Sequence, residues 1–152
     1  MARADASARR RPGEPTALLP PVPTLPGLLS RLALLEGALA VAGFTRTSAW
    51  IERHAAAAPS RDRDRLAVDG WVARVERAVA TAAALFPGRA ECLERSLLLY
   101  WLLRRRGVRC ELRLGVQLYP FLAHAWVERD GVVLNDVPEH VAQFAPLQGV
   151  AP

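Results

Sequence analysis

At 152 residues the chain has the size of one compact domain. Its 51% hydrophobic and 23% charged residues are typical of a soluble globular protein and exclude a collagen-like or wholly disordered chain. The net charge of +5 would indicate a nucleic-acid partner only if it were focused on one face. It is not: four arginines lie in the first eleven residues, and those at 61–65 alternate with aspartates. We therefore expect no nucleic-acid partner.

Targeting and redox signals point to one compartment. The two cysteines have no clustered spacing, which predicts no disulfide framework. Prolines follow the first arginines where a signal peptide needs an apolar segment. The apolar stretch from Leu28 to Phe44 contains Arg31 and Glu36, so it is a poor membrane span. We expect a soluble, reduced, cytoplasmic protein with no membrane partner.

The first part of the chain is predicted to be helical after a tail. Residues 1–23 are rich in Arg, Pro and Ala without apolar periodicity, which predicts disorder. Leucines at helical spacing predict a helix over Pro26–Ala42 that ends at Gly43, and a second helix is expected after Thr47. We interpret residues 24–63 as an N-terminal helical subdomain.

Residues 64–152 are predicted to form the core. A helix is expected over Arg65–Leu85, followed by one over Cys92–Arg106 that is apolar almost all round and therefore buried. The period then changes to two, which predicts strands over the ranges 110–118, 122–128 and 132–136. Helices followed by a small antiparallel sheet give an α+β fold class.

Chain lengths bring Cys92 and His124 to the same end of this core. The Cys92 helix spans about 20 Å, and the strand after it can run back about 30 Å along it. The chain then returns near Cys92 just before His124, whereas Cys110 lies at the opposite end. No Cys92–Cys110 disulfide is expected, because its Cα atoms would have to lie within about 7 Å.

The register of the last hairpin decides whether Asp136 joins them. A two-residue loop, Asp130-Gly131, would place Asp136 opposite Ala125, on the wrong face of the hairpin. A three-residue loop beginning at Arg129 places His124 opposite Asp136. We predict the three-residue loop.

The three residues then have separate chemical tasks. Cys92 at a helix N-terminus is a candidate nucleophile, since free N–H groups and the helix dipole favour a thiolate. His124 is the candidate general base and acid. Asp136 would fix the tautomer of His124 and stabilise its imidazolium form. The backbone N–H of Cys92 is a candidate oxyanion donor.

Other polar and aromatic residues carry weaker hypotheses. Trp126, Tyr119 and Phe121 are predicted to flank the cleft and line a peptide subsite, with sheet packing as the alternative for Trp126. His54 and His140 are expected to be solvated or structural. A zinc site from Cys92, His124, Asp136 and His140 is disfavoured because no close ligand pair anchors it, and we expect no metal and no cofactor.

These motifs together resemble a known family. The matching segments, which span roughly residues 85–137, are Cys92-Leu93-Glu94-Arg95-Ser96-Leu97, Leu102-Leu103-Arg104-Arg105-Arg106-Gly107-Val108, His124-Ala125-Trp126-Val127-Glu128 and Asn135-Asp136. They resemble the leader peptidases of lasso-peptide biosynthesis, in the transglutaminase-like branch of the papain-like cysteine proteases. Cys92, His124 and Asp136 match the catalytic positions of that family in type and order.

The resemblance implies a function and partners. Such peptidases remove the leader from a ribosomally made precursor peptide, and a separate cyclase then closes the macrolactam. They act with a small leader-recognition protein. No space for that protein precedes Leu28, so we expect it to act in trans.

Three alternatives remain open at this point. The same triad could transfer the acyl group to an amine, as a transglutaminase-like acyltransferase. A non-catalytic peptide-binding relative would keep the fold without a competent Cys92. A basic nucleic-acid binder would need a strongly salt-dependent affinity for DNA or RNA.

Overall fold

The computed structural model describes residues 20–55 and 65–147. Three long helices precede a small antiparallel sheet, so the predicted α+β class is confirmed. In chain order the elements are α1 (Leu25–Ala55), α2 (Arg65–Leu85), α3 (Cys92–Arg104), β1 (Glu111–Gln117), β2 (Leu122–Arg129), β3 (Val132–Val133), α4 (Pro138–Val141) and β4 (Ala145–Pro146). The strand order within the sheet is β3-β2-β1-β4. Most of the predicted tail lies outside the described residues, and the subdomain boundary at residue 63 stays a prediction.

Helix α1 changes direction at Gly43. This residue has φ 73° and ψ 174°, and helical geometry resumes directly after it. Glycine adopts a positive φ at little steric cost because it has no Cβ. Element α1 therefore consists of two helical segments that meet at Gly43, where the first was predicted to end, and the second begins earlier than the predicted start after Thr47. The Thr47 hydroxyl donates to the Gly43 carbonyl across the kink at 2.8 Å.

Helix α3 is the centre of the core, as its sequence predicts. Every residue from Ser96 to Leu103 is buried. The helix contacts α1, α2, β1 and β2, which explains why it is apolar on nearly all sides. One apolar cluster joins residues of all three long helices to the inner face of the sheet.

By length and composition alone, Leu25–His54 in α1 could cross a bilayer, although core helices of soluble proteins meet the same test. One stripe of this helix packs within the protein, although only 17% of its apolar stretch is buried. Its fully buried side chains are Leu28, Leu32, Leu35 and Ile51, which belong to the shared core.

The two faces of the sheet have different partners. Leu112 and Val127 face the helical core. On the opposite face Trp126 packs with Val141 and Phe144, which come from α4 and the residues after it. Gly115 permits this packing.

A Cβ on Gly115 would lie 2.8 Å from Phe144 Cβ and 2.9 Å from the Trp126 ring.

Neither α4 nor β4 was predicted from the sequence, because segments of four and two residues carry no measurable periodicity.

The predicted register of the last hairpin is wrong. Arg129 pairs with Val132, so the loop has two residues, Asp130 and Gly131. Both have positive φ, 51° and 78°, as type I′ hairpin turns require. The third strand also ends at Val133 and does not continue to Asp136 as predicted.

Candidate active site

His124 and Asp136 meet despite the unexpected register. Their Nε2 and Oδ2 atoms lie 2.5 Å apart, and the two side chains are 9% and 13% exposed. The contact forms because the chain leaves the β-ladder after Leu134, whose N–H still binds the Val127 carbonyl at 2.9 Å. The following bend carries Asp136 to the face on which His124 lies. The predicted pairing is therefore correct, but its cause is a bend rather than a strand register.

The Asp136 carboxyl is held in its ionised form. Burial alone would raise its pKa. The N–H of Val137 at 2.8 Å, the imidazoles of His140 and His124, and the charge of His140 together outweigh burial and hold the pKa below its ordinary value of 3.8. An ionised carboxylate only accepts hydrogen bonds, so His124 Nε2 carries the proton at this contact. In neutral His124 the basic nitrogen is therefore Nδ1.

His140 is a second imidazole on the same carboxylate, which the sequence did not predict. Its Nδ1 lies 3.1 Å from Oδ1 and 3.0 Å from Oδ2 of Asp136. Its ring centroid is 4.8 Å from that of His124. The spacing of four residues between Asp136 and His140 was the available signal, because α4 begins two residues after Asp136 and its first turn brings residues at this spacing together.

Aromatic side chains hold the His124 ring from behind. Phe144 lies 4.9 Å and Trp126 6.0 Å from it, between ring centroids. Trp126 is only 2% exposed and donates its indole N–H to Glu128 at 2.7 Å, so its surface is used in packing. By contrast Tyr119 and Phe121, in the β1–β2 loop, are 91% and 71% exposed.

Cys92 is the first residue of α3 and is partly exposed. The preceding residue, Glu91, makes no side-chain cap, and the first intrahelical bond at this end runs from the Arg95 N–H to the Glu91 carbonyl. The N–H groups of the first turn therefore have no partner within the helix. Such a helix end attracts negative charge, whether on a thiolate or on a developing oxyanion.

A buried polar network ties α3 to the sheet one turn beyond Cys92. Ser96, which is 0% exposed, donates its hydroxyl to the Ala125 carbonyl at 2.9 Å and accepts the Asn135 side-chain N–H at 2.8 Å. The Asn135 amide oxygen accepts the Val127 N–H at 2.8 Å. The Asn135 side chain thus satisfies a backbone N–H of β2 that the carbonyl of a longer β3 would otherwise bind. Because Asn135 directly precedes Asp136, these contacts also position the Asp136 backbone.

The second cysteine is a different kind of group. Cys110 is buried, and this burial raises the pKa of its thiol to about 12. It is therefore a neutral core thiol at physiological pH, as expected from its position. Cys92 and Cys110 are both free.

His124, Asp136 and His140 are also the group of described residues whose ligand atoms come close enough to consider a metal ion, within 4.8 Å of one another. Ligands about 2.0–2.1 Å from a tetrahedral zinc ion lie about 3.3 Å apart. His124 Nε2 and Asp136 Oδ2, at 2.5 Å, lie closer together than two such ligands and are in direct hydrogen-bond contact. The three side chains thus form a hydrogen-bonded group in which Asp136 lies between the two imidazoles.

Comparison with known proteins places the chain in a family. A profile of the transglutaminase-like superfamily matches residues 33–149. Over 50 residues the chain is 40% identical to the microcin J25-processing protein McjB of Escherichia coli, a match that covers 33% of this chain and 24% of the relative. The chain thus spans about a quarter of that relative's length, and no solved structure matches it significantly. Together with the α+β core, the profile match over most of the chain shows that this protein belongs to the transglutaminase-like superfamily.

Proposed function

We propose that this protein is a cysteine peptidase that removes the leader from a lasso-peptide precursor. The observation that carries the proposal is the contact of His124, on β2, with Asp136. Cys92 is the first residue of α3, and the Ser96 hydroxyl one turn later binds the carbonyl of Ala125, the residue that follows His124. The similarity to a microcin-processing protein supports a peptide precursor as the substrate. We place the reaction in the cytoplasm, without a cofactor.

The polar network supports a position of Cys92 near the His124 part of β2. Ser96 binds the Ala125 carbonyl, and Arg104 at the other end of α3 lines the same cavity as Glu128. Helix α3 and strand β2 therefore run in the same direction. Cys92 lies four residues before Ser96, about 6 Å along the helix axis, which equals about two residues of strand. We infer that the first turn of α3 lies level with His124. Because His124 stacks with Trp126 on the face opposite to the helical core, the thiol in this proposal meets it at the edge of β2 that β3 leaves uncovered.

The proposed reaction has two steps. The Cys92 sulfur attacks the scissile carbonyl carbon while its proton passes to His124 Nδ1, and the developing oxyanion lies at the N–H groups of the first turn of α3. His124 then gives the proton to the leaving amine, which frees the core peptide and leaves a thioester on Cys92. Water attacks the thioester with His124 as base, releases the leader carboxylate and restores the thiol. Throughout, the Asp136 carboxylate accepts a hydrogen bond from the Nε2–H of His124 and stabilises its imidazolium form.

Substrate recognition is shared in this proposal. Exposed Tyr119 and Phe121 lie in the loop that leads into the strand of His124, where they can contact the precursor beside the scissile bond. A leader-recognition protein acting in trans presents the leader. The core amino group released is then the substrate of the macrolactam-forming cyclase.

The test is mass spectrometry of the precursor encoded beside this gene, incubated with this protein and the neighbouring leader-recognition protein. We expect one cleavage between leader and core, which is absent with Cys92→Ala. A mass gain that corresponds to amine transfer would replace hydrolysis by the acyltransferase function. An unchanged precursor together with a Cys92 that resists alkylation would favour a peptide-binding role without catalysis.

A further inference from the structure

We infer that His140 is a positioning residue of the active site, which holds the Asp136 carboxylate in the orientation that His124 requires. The inference deepens the proposed function and rests on it. His140 does not reach the reacting atoms in this scheme and acts through Asp136.

The geometry gives His140 a donor role. Its Nδ1 lies at nearly equal distances, 3.1 and 3.0 Å, from the two oxygens of Asp136. Because the carboxylate only accepts, Nδ1 donates to both oxygens and restrains rotation about the Cβ–Cγ bond. Oδ2 is thereby kept at His124 Nε2, and Oδ1 at the Val137 N–H.

Asp136 lies in a bend and not in a strand. Asn135 anchors the bend through Ser96 and the Val127 N–H. The orientation of the Asp136 carboxylate depends on the Val137 N–H and the two imidazoles. Helix α4 begins two residues after Asp136 and places His140 one turn later, over the carboxylate. Phe144 then packs edge-on against the His140 ring, with 5.3 Å between centroids, and fixes its position.

The surroundings of His140 allow its donor role and its packing role to be separated. The titratable groups that face it are Asp136 from the bend and His124 from β2, and Glu139 precedes it on α4. His140→Phe keeps a ring against Phe144 and removes the N–H donor. His140→Gln keeps an N–H donor of similar reach and removes the ring.

The measurement is the rate of Cys92 alkylation by iodoacetamide from pH 5 to pH 9, which needs no peptide substrate. A thiol whose proton is taken up by a neighbouring imidazole is alkylated faster in weakly acidic solution than a free thiol is. We expect His140→Phe to lower the rate at pH 6 about 10-fold, and His140→Gln to lower it about threefold or less. His54→Gln, a histidine variant on α1 outside the site, should match the wild type. In the cleavage assay the same variants should lower kcat in the same order and leave KM unchanged.

Each result decides the inference. Equal or faster alkylation of His140→Phe relative to His140→Gln would overturn it, because packing alone would then explain the residue. A wild-type rate that follows an ordinary thiol titration would overturn this inference, since no ion pair would exist for His140 to support. The cleavage assay with Cys92→Ala, which needs no resting ion pair, tests the proposed peptidase separately. Wild-type ion-pair behaviour with unaffected His140 variants would overturn the inference alone.

Discussion

Replacing Ser96 tests how much its buried hydroxyl contributes to holding helix α3 on the sheet. Ser96→Ala removes two buried hydrogen bonds and leaves the Ala125 carbonyl and an Asn135 N–H without their partner. A net hydrogen bond contributes about 1 kcal/mol, and each partner left unpaired in the interior adds to the loss. We expect a loss of about 2–3 kcal/mol in the free energy of unfolding by urea, and a fall in Tm of about 5–10 °C.

A double-mutant cycle with Asn135→Ala makes this prediction specific. The Ser96–Asn135 bond is lost in both single variants, so the double variant should be about 1 kcal/mol more stable than the sum of the single losses predicts. Ser30→Ala is the matched control, because its hydroxyl binds a helix carbonyl at the surface and its loss should cost no more than about 0.5 kcal/mol. Strict additivity, or a Ser96→Ala loss as small as that of Ser30→Ala, would refute the reasoning.

Three further predictions follow from other features. Iodoacetamide at pH 7 should modify Cys92 in the native protein and spare Cys110, which is buried and whose thiol pKa is about 12. Mass spectrometry of the peptides identifies the modified cysteine, and modification of both would contradict the burial of Cys110. Gly115→Ala should destabilise the protein by about 1–3 kcal/mol because the added Cβ meets the Phe144 side chain at 2.8 Å. Gly37→Ala, with open space around it in a helix, should stabilise the protein by up to about 1 kcal/mol. Urea unfolding in which both variants change stability in the same direction would refute this. Because the folded-state pKa of Asp136 is lowered, its stabilising contribution is present above pH 3.8 and is lost as the pH falls through the lowered pKa. The stability advantage of the wild type over Asp136→Asn, measured by urea unfolding, should therefore decline below about pH 4. An advantage that grows there would contradict the lowered pKa.

The elements that the sequence predicts well are those with many residues of one period. Helix α2 matches its predicted bounds, and α3 ends two residues before its predicted end. Strands β1 and β2 are found because the alternation of apolar and polar residues is long enough to identify a half-buried sheet. Gly43 shows the limit of such signals, since a glycine that can end a helix can also join two helices through a kink.

The site was predicted in part for a reason that does not hold. The pairing of His124 with Asp136 was derived from a three-residue hairpin loop, and the loop has two residues. The bend at Asn135 that produces the pairing depends on side-chain contacts with the Val127 N–H and with Ser96, which is 39 residues earlier in the chain. His140 was not predicted as part of the site because its position depends on that same bend.

The spacing of the site residues along the chain has a consequence for folding. His124 and Asp136 are 12 residues apart and His140 follows by four, whereas the contacts that join α3 to the sheet span 29 and 39 residues. Closing the short loops costs less chain entropy than closing the long ones. The carboxylate and its two imidazoles can therefore assemble from the hairpin and α4 alone, while α3 joins them only when the helical half docks. As denaturant rises, α3 should detach from the sheet before the cluster of His124, Asp136 and His140 is lost.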